Sequence, residues 1–433
     1  MIHRREFTTG SLAATALAGV ATVTKSASAR AIGPNDKVRL GFVGVGNRGS
    51  QLLASFVKHA DADVAVLCDA FEPYLDRGKM QFPKAETSGD FRKVLDRRDL
   101  DAVVIATPDH WHAIQMIAAC RAGKDVYVEK PLSITIHEGR RMVEVAREEK
   151  RIVQVGTHRR SAGLYAKLAE FVAAGSMGKV TVSRAYRISN MAPAGIGHAA
   201  GGDPPPGLNW DMWLGPRPAR PFQATIAPYK FRWWDLYSSQ MANWGIHYLD
   251  AIRWITGEVA PASVCAMGGK FAVDDDRTVP DTMEAIFEFA SGRLAVFGQY
   301  EASGAPAMLR GELELRGTLG TAFVENNSVD VVPDAGGQFQ DRKPRMKPQT
   351  LAVDEGDWTD LHTRNFLDCV KSRQRPNADV EEGHRSTTMS LLGNMSLALK
   401  QRLEWDAEAE KVTNCPAANE MLHYEYRRPW ELD

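Results

Sequence analysis

Short apolar runs alternate with segments of helical period along the first third of the chain. Lys37-Val-Arg-Leu-Gly-Phe-Val43, Asp63-Val-Ala-Val-Leu-Cys-Asp69, Asp101-Ala-Val-Val-Ile-Ala-Thr-Pro108, Asp125-Val-Tyr-Val-Glu-Lys-Pro131 and Arg151–Gly156 are nearly continuous apolar runs of strand length. Strands read this way when helices cover both faces of a parallel sheet. Between them, Ser50–Val57, Ile114–Ala122 and a stretch reaching about Lys150 have helical character, with Asp109 placed to cap the second and Gly123 to end it. The alternation predicts an α/β, doubly wound parallel sheet over 36–157.

Beyond 158 the pattern changes. Val180–Arg187, Val264–Phe271, Met283–Phe289, Arg293–Tyr300, Leu309–Arg316 and Thr321–Val324 are strand-like runs punctuated by Gly, Ser and Asp. Asn243–Thr256 has helical spacing, which would put Asn243 and His247 on one face. Met191–Gly207, with Gly201-Gly-Asp-Pro-Pro-Pro-Gly207, is too rich in Gly and Pro for regular structure. It reads as a loop, either near a site or a plain surface excursion.

The chain opens on Arg4-Arg5-Glu6-Phe7, an apolar run from Leu12 to Val23, and Lys25-Ser-Ala-Ser-Ala-Arg-Ala31. A charged start, a short apolar centre and small residues before a cleavage point make a secretory leader. The paired arginines resemble the twin-arginine export signal, and the run is too short to span a bilayer comfortably. Residues 1–31 are therefore read as a signal peptide and the mature protein as periplasmic; the rival is an uncleaved amphipathic tail. Lys and Arg number 53 against 54 Asp and Glu, a net charge of −1. That lacks the basic excess of a nucleic-acid binder, and 44% hydrophobic residues exclude full-chain disorder. Five cysteines without a CxxC pair exclude a disulfide scaffold. His110-Trp-His112 has no ligand cluster with it, so no metal site is expected.

The chemistry lies in the strand ends. Gly44-Val-Gly46-Asn47-Arg48-Gly49 directly follows the first apolar run and opens a helix. That context suits a dinucleotide: a tight turn, bare backbone beside the pyrophosphate, and helix amides facing it. Asp69 ends the second run twenty positions past Gly49, where a carboxylate takes the adenosine ribose hydroxyls. A 2′-phosphate would meet like charge there, so NAD is favoured over NADP, with Arg48 a mild counter-argument. Ligands of such sheets sit at the carboxyl ends of strands, so Thr107, Pro108, Glu129 and Lys130 should line one crevice. Oxidising a secondary alcohol needs a cation at the developing alkoxide and a base for the proton, and Lys130 and His247 are the candidates.

Thr107-Pro108-Asp109 with His112, Glu129-Lys130-Pro131, and Ala242-Asn-Trp-Gly-Ile-His-Tyr-Leu-Asp250 together resemble the glucose–fructose oxidoreductase, inositol dehydrogenase and MocA (Gfo/Idh/MocA) family. Asn365–Lys371 and Gly383-His-Arg-Ser386 resemble the closing helices of its exported, tryptophan-rich bacterial branch. The resemblance covers everything after the leader. It implies a Rossmann domain over 36–157 and an α+β domain over 158–433 with a large, mostly antiparallel open sheet for substrate binding and oligomerisation. Closing helices at about 360–405 would pack back on the first domain, in a homodimer or homotetramer. The implied activity is hydride transfer between a sugar, cyclitol or glycoside hydroxyl and a tightly bound nicotinamide cofactor. Gly44, Gly46, Asn47, Arg48, Gly49, Asp69, Thr107, Pro108, His112 and Glu129 would contact the cofactor. His158, Arg159, Arg160, Tyr165, Asp235 and Trp244 would contact substrate.

One position departs from the family pattern: Asn243 stands where an aspartate is usual, four residues before His247. An amide can orient an imidazole but cannot stabilise its positive charge, so His247 should be harder to protonate. Asp235 could supply the missing carboxylate. The departure keeps a second reading open: a glycosidase, lyase or epimerase acting through a transient 3-keto sugar. The hydrolase branch lacks the Glu-Lys-Pro lysine, so Lys130 favours net redox. A non-catalytic sugar-binding protein is the third reading. Trp210, Trp213, Trp233, Trp234, Trp244 and Trp254 crowd one stretch, and at most two are assigned to substrate.

Overall fold

The computed structural model describes Gly33 and residues 36–432, apart from Leu309 and Asn326; the leader read at 1–31 lies outside the described residues. Strands β1 (Val38–Val43), β2 (Ala62–Cys68), β3 (Glu86–Ser88), β4 (Ala102–Ile105), β5 (Asp125–Val128) and β6 (Val153–Val155) form one sheet in the order β3-β2-β1-β4-β5-β6. Every pairing in it is parallel. The order reverses between β1 and β4, which opens a crevice beyond their carboxyl ends. β3 escaped prediction because it is a three-residue edge strand with no apolar run.

Flanking helices pack on both faces. Thr135 and Glu138 form a reciprocal capping box at the start of helix Ile136–Glu148. Asp109 does not cap the next helix as predicted. It lies in a 3-10 turn, Asp109–Trp111, ahead of helix His112–Arg121, and its carboxylate accepts a hydrogen bond from Ser238 of the second domain.

The second sheet holds β7 (Val180–Ile188), β8 (Pro261–Gly269), β9 (Thr282–Phe289), β10 (Leu294–Tyr300), β11 (Leu313–Gly317), β12 (Gly320–Val324), β13 (Ser328–Pro333), β14 (Gln349–Ala352), β15 (Leu403–Asp406) and β16 (Lys411–Val412). Their order is β14-β13-β12-β11-β7-β10-β9-β8-β15-β16, antiparallel throughout except for β7 with β10. The run read at Leu309–Arg316 becomes a strand only from Leu313, because the chain bends at Arg310–Glu312. The helix read at Asn243–Thr256 starts earlier, as a π-helical turn over Met241–Gly245 that passes into α-helix Ile246–Thr256. Met191–Gly207 contains no helix or named strand.

Two closing helices join the domains. On helix Trp358–Ser372, Phe366 packs edge-on against Phe56 and Tyr127 of the first domain. Beside it, Asp61 takes hydrogen bonds from Arg364 and Lys371, and Ser55 donates to Asp360. Helix Val380–Leu399 bridges both sides: Thr387 accepts from the Leu132 amide, and Ser386 donates to Asp250.

Phe366 is fully buried at this junction. Phe366→Ala is expected to cost about 3–5 kcal/mol, the price of an aromatic-sized cavity. Urea unfolding followed by far-ultraviolet circular dichroism and tryptophan fluorescence should give coincident transitions at a lower midpoint. Separated transitions would show that the helix does not couple the domains.

Candidate functional site

The crevice beyond β1 and β4 runs from the glycine turn to Lys130 and Asn243. At its first end Gly44 has φ +86°, and a Cβ there would lie 2.6 Å from the Ala106 carbonyl carbon. A Cβ on Gly49 would come within 2.0 Å of the Gly44 carbonyl oxygen. The turn therefore admits no side chain at either position. Helix Asn47–Phe56 has no side-chain cap at its start, so its first amides remain available to an anion. At the end of β2 the Asp69 carboxylate accepts from the amides of Val45 (2.8 Å) and Phe71 (3.0 Å). Burial pushes that carboxyl up to about 6 in spite of these bonds. Bare turn, uncapped helix and strand-end carboxylate fit a dinucleotide, the diphosphate against the amides and the ribose against Asp69. Asn47 lines the turn; Arg48 is directed to Glu129 (2.8 Å) and Gln51 (3.1 Å) instead of serving as a cation for a 2′-phosphate.

At the other end Thr107 donates to Gln115 (2.8 Å), and Pro108 lines the wall. His112 also borders the crevice, but each of its ring nitrogens faces a carbonyl, Pro131 at 2.7 Å and Thr107 at 3.0 Å. It thereby pins the ends of β4 and β5 together. Burial works against the Glu129 carboxylate, yet Arg48 and Lys130 beside it hold it below the ordinary value. Burial lowers Lys130 to about 8, against the pull of Glu129 and Asp109. Its Nζ donates to the backbone carbonyl of Asn243 at 3.2 Å. Burial, then the charge of Lys130, pushes His247 well below the usual histidine value. The ring lies 5.2 Å from that of His158 and 6.1 Å from Trp244, and its buried Nδ1 has no hydrogen-bond partner. His158 is likewise pushed down, by burial and then by Arg159.

The second domain roofs the crevice. Leu208 bridges Phe71, the Glu72 amide donates to Gly207 (2.9 Å), and the Asn209 amide donates to Ala70 (2.9 Å). The end of the Gly/Pro segment thus docks beside Asp69. Met212, Trp213, Pro228, Tyr229, Phe231 and Arg232 line the crevice from this side. Tyr229 and Arg232 escaped the sequence reading; the aromatic density around Phe231-Arg-Trp-Trp-Asp235 was the available signal, but it directed attention to Asp235.

Several predicted contacts fall elsewhere. Asp235 is exposed and accepts from the Thr278 hydroxyl (2.8 Å) on the wall of a separate cavity, so it does not replace the missing aspartate. Asn243 makes no hydrogen bond to His247; the π-helical turn uses its backbone carbonyl for Lys130 instead. Arg159 is buried against Glu312 (2.8 Å), which also accepts from the Tyr165 hydroxyl (2.7 Å), and Tyr165 is completely enclosed. Arg160 pairs with Asp250 (2.9 Å). These three fasten the second domain internally, because a buried guanidinium must keep its carboxylate. Trp210 and Trp213 stack at 4.9 Å within an aromatic cluster that also holds Trp234, while Trp244 alone stands beside His247. Among the described residues no cluster of three His, Cys, Asp or Glu is placed to hold a metal.

Fold and site together define a nicotinamide-nucleotide oxidoreductase with a Rossmann domain and a large-sheet partner domain. Residues 38–157 match the oxidoreductase family's NAD-binding Rossmann fold, and residues 166–432 its C-terminal alpha/beta domain, so the chain belongs to the Gfo/Idh/MocA family. A glycosyl hydrolase family 109 protein of Shewanella baltica is 34% identical over 169 residues, 34% of this chain and 37% of that protein. The match thus spans little more than a third of that relative. Levoglucosan dehydrogenase in complex with NADH superposes with a TM-score of 0.65 at 17% identity, covering 85% of this chain and 99% of that one. Scyllo-inositol dehydrogenase from Lactobacillus casei, with bound NAD(H) and scyllo-inositol, gives 0.61 at 20% identity, covering 85% and 99%. These two share the fold.

NADH affinity, read by fluorescence titration, should fall as pH drops through about 6, where Asp69 takes up a proton and becomes a poorer acceptor for ribose hydroxyls. Asp69→Asn should flatten that dependence. Gly49→Ala should abolish binding, since its Cβ closes the turn.

Proposed function

We propose that this protein moves hydride between a secondary hydroxyl of a sugar, cyclitol or glycoside and a tightly held NAD. The observation that carries this reading is a half-buried Lys130 at the end of β5 whose Nζ donates to the Asn243 carbonyl, on the π-helical turn that leads into the buried His247. The nicotinamide, when bound, supplies the hydride acceptor and donor. Lys130 Nζ stabilises negative charge on the substrate oxygen, which is worth most in a site from which water is excluded. The His247 imidazole, kept neutral by burial and by Lys130, receives the hydroxyl proton. Glu129 favours the charged form of Lys130, and the second domain lines the crevice with residues between Met212 and Arg232. Levoglucosan and scyllo-inositol dehydrogenases among the structural neighbours support a polyhydroxy substrate.

The Arg4-Arg5 leader supports a periplasmic destination, where a captive cofactor cycled by paired substrates answers the scarcity of free NAD. Met267 and Ile286, exposed on adjacent strands β8 and β9, support self-association into a dimer or tetramer. The family 109 relatives favour a second reading, transient oxidation followed by glycosidic cleavage, elimination or epimerisation. The discriminating experiment is absorbance and mass analysis of nucleotide released on denaturation, followed by addition of sugars to the native protein. Net change in nicotinamide absorbance supports the first reading. Product without net change supports the second, and failure to hold or take up NAD defeats both.

Lys130→Met should lower kcat by about 10²- to 10³-fold while NADH still binds, by steady-state kinetics and fluorescence titration. Activity should decline as pH rises through about 8, where the ammonium loses its proton. Glu129→Gln removes the neighbouring negative charge and should move that decline to lower pH. A limb unmoved by the substitution would place the titration on another group.

A further inference from the structure

Among the described residues Arg232 is a half-buried cation with no carboxylate partner, a lack shared by Arg217, which stacks on Tyr424 outside the crevice. Arg48 has Glu129, Arg159 has Glu312, Arg160 has Asp250, and Arg277 has both Asp275 and Glu301. Arg232 lines the same crevice as Lys130 and Asn243. Its guanidinium lies over the Tyr229 ring at 4.3 Å, with Phe231 and Trp233 at 5.9 and 5.8 Å. Its Nε is buried without a hydrogen-bond partner, and among the described residues no carboxylate lies within 4.0 Å of it. Two acids of this region are already engaged: Glu301 accepts from Arg277, Trp233 and Gln240, and Asp109 from Ser238. Stacking on aromatic rings fixes a guanidinium in place at little entropic cost and leaves its donor fork open.

Arg232 also shares its surroundings with the reacting end. Lys130 is felt by Glu129 and Asp109 as carboxylates and by Arg232 and Arg48 as cations. The crevice is lined by three cations, Arg48, Lys130 and Arg232, and by three carboxylates, Asp69, Asp109 and Glu129, each of which already accepts a hydrogen bond within the protein. Arg232 and Lys130 line one crevice, so a single ligand can present an anionic group to the first and a hydroxyl to the second.

We infer that the substrate is an acidic sugar, a uronate or aldonate whose carboxylate is held by the Arg232 guanidinium while Lys130 attends the reacting hydroxyl. The inference rests on the oxidation proposed at Lys130 and adds the substrate class. Arg232 is then a specificity-determining residue. The nucleotide diphosphate is the other source of anionic oxygens within the crevice, and the test separates the two.

Holoenzyme carrying NADH is titrated calorimetrically with D-glucuronate, D-galacturonate and D-gluconate, and with neutral D-glucose and D-galactose. Wild type, Arg232→Gln and Arg232→Lys are compared, with NADH affinity and sugar turnover measured in parallel. At least one acid should bind wild type about 10- to 100-fold tighter than its neutral counterpart, the worth of a charge-assisted pair. Arg232→Gln should erase that preference, and Arg232→Lys should keep part of it. Should the glutamine variant not fold, by thermal melting, the loss of bidentate geometry in the lysine variant still has to reduce the preference. Acids bound no tighter than neutral sugars, or a preference indifferent to both substitutions, overturns the inference. So does a fall in NADH affinity that matches the loss of acid binding, which assigns the guanidinium to the cofactor. An acid held through Arg232 but never oxidised upholds the anion site and defeats the oxidation reading. A neutral sugar oxidised equally by all three proteins does the reverse.

Discussion

Glu129 lies buried between Arg48 and Lys130, and the working parts of the molecule are arranged around that carboxylate. Arg48 belongs to the helix that follows the glycine turn, Lys130 to the end of β5, and Gly156 to the strand beyond. A Cβ at Gly156 would press into the Glu129 carboxyl at 2.7 Å, so the third element is fitted to it as well. A carboxylate so placed is costly unless its charge is matched, and removing one partner strands the other. The Arg48–Glu129 ion pair therefore ties the helix after the nucleotide turn to the end of β5.

The second domain completes what the first begins. Its π-helical turn offers the Asn243 carbonyl to Lys130 and sets His247 beside it, while Ser238 reaches Asp109. Its Gly/Pro segment docks on the end of β2, and the Tyr229–Arg232 stretch covers the crevice. The site thus lies in the junction, and the packing of Phe366 and Phe56 that holds the junction also preserves the geometry of the site. Low dielectric then depresses both Lys130 and His247: the lysine stays poised near neutrality and the histidine stays uncharged. Asn243 in place of an aspartate agrees with this, since no carboxylate is present there to draw a proton onto the imidazole.

The parts of the site legible in the sequence are those fixed by neighbours in the chain. Gly44, Gly49 and Asp69 could be read because a glycine turn between strand and helix, and an acid at the next strand end, obey local backbone rules. Lys130 could be read because it ends an apolar run. Arg159, Arg160 and Tyr165 show the limit: polar side chains after a strand suggested ligand contacts, but their partners Glu312 and Asp250 lie 90 or more positions away. Asp235 misled for the same reason, because closeness in sequence to an aromatic cluster says nothing of which wall of which cavity a carboxylate joins. β13 to β16, two to six residues each at the two ends of the sheet, were missed because strands so short carry little apolar signal.

The sequence by itself determined the Rossmann half, the nucleotide turn and the lysine, since buried parallel strands and tight turns constrain consecutive residues through local sterics and solvent exclusion. Tertiary structure alone decided which arginines remain unpaired, where the roof closes, and how far burial shifts Lys130 and His247. Those properties depend on desolvation and on charges brought together from distant segments, and neither has a value until the chain has folded around them.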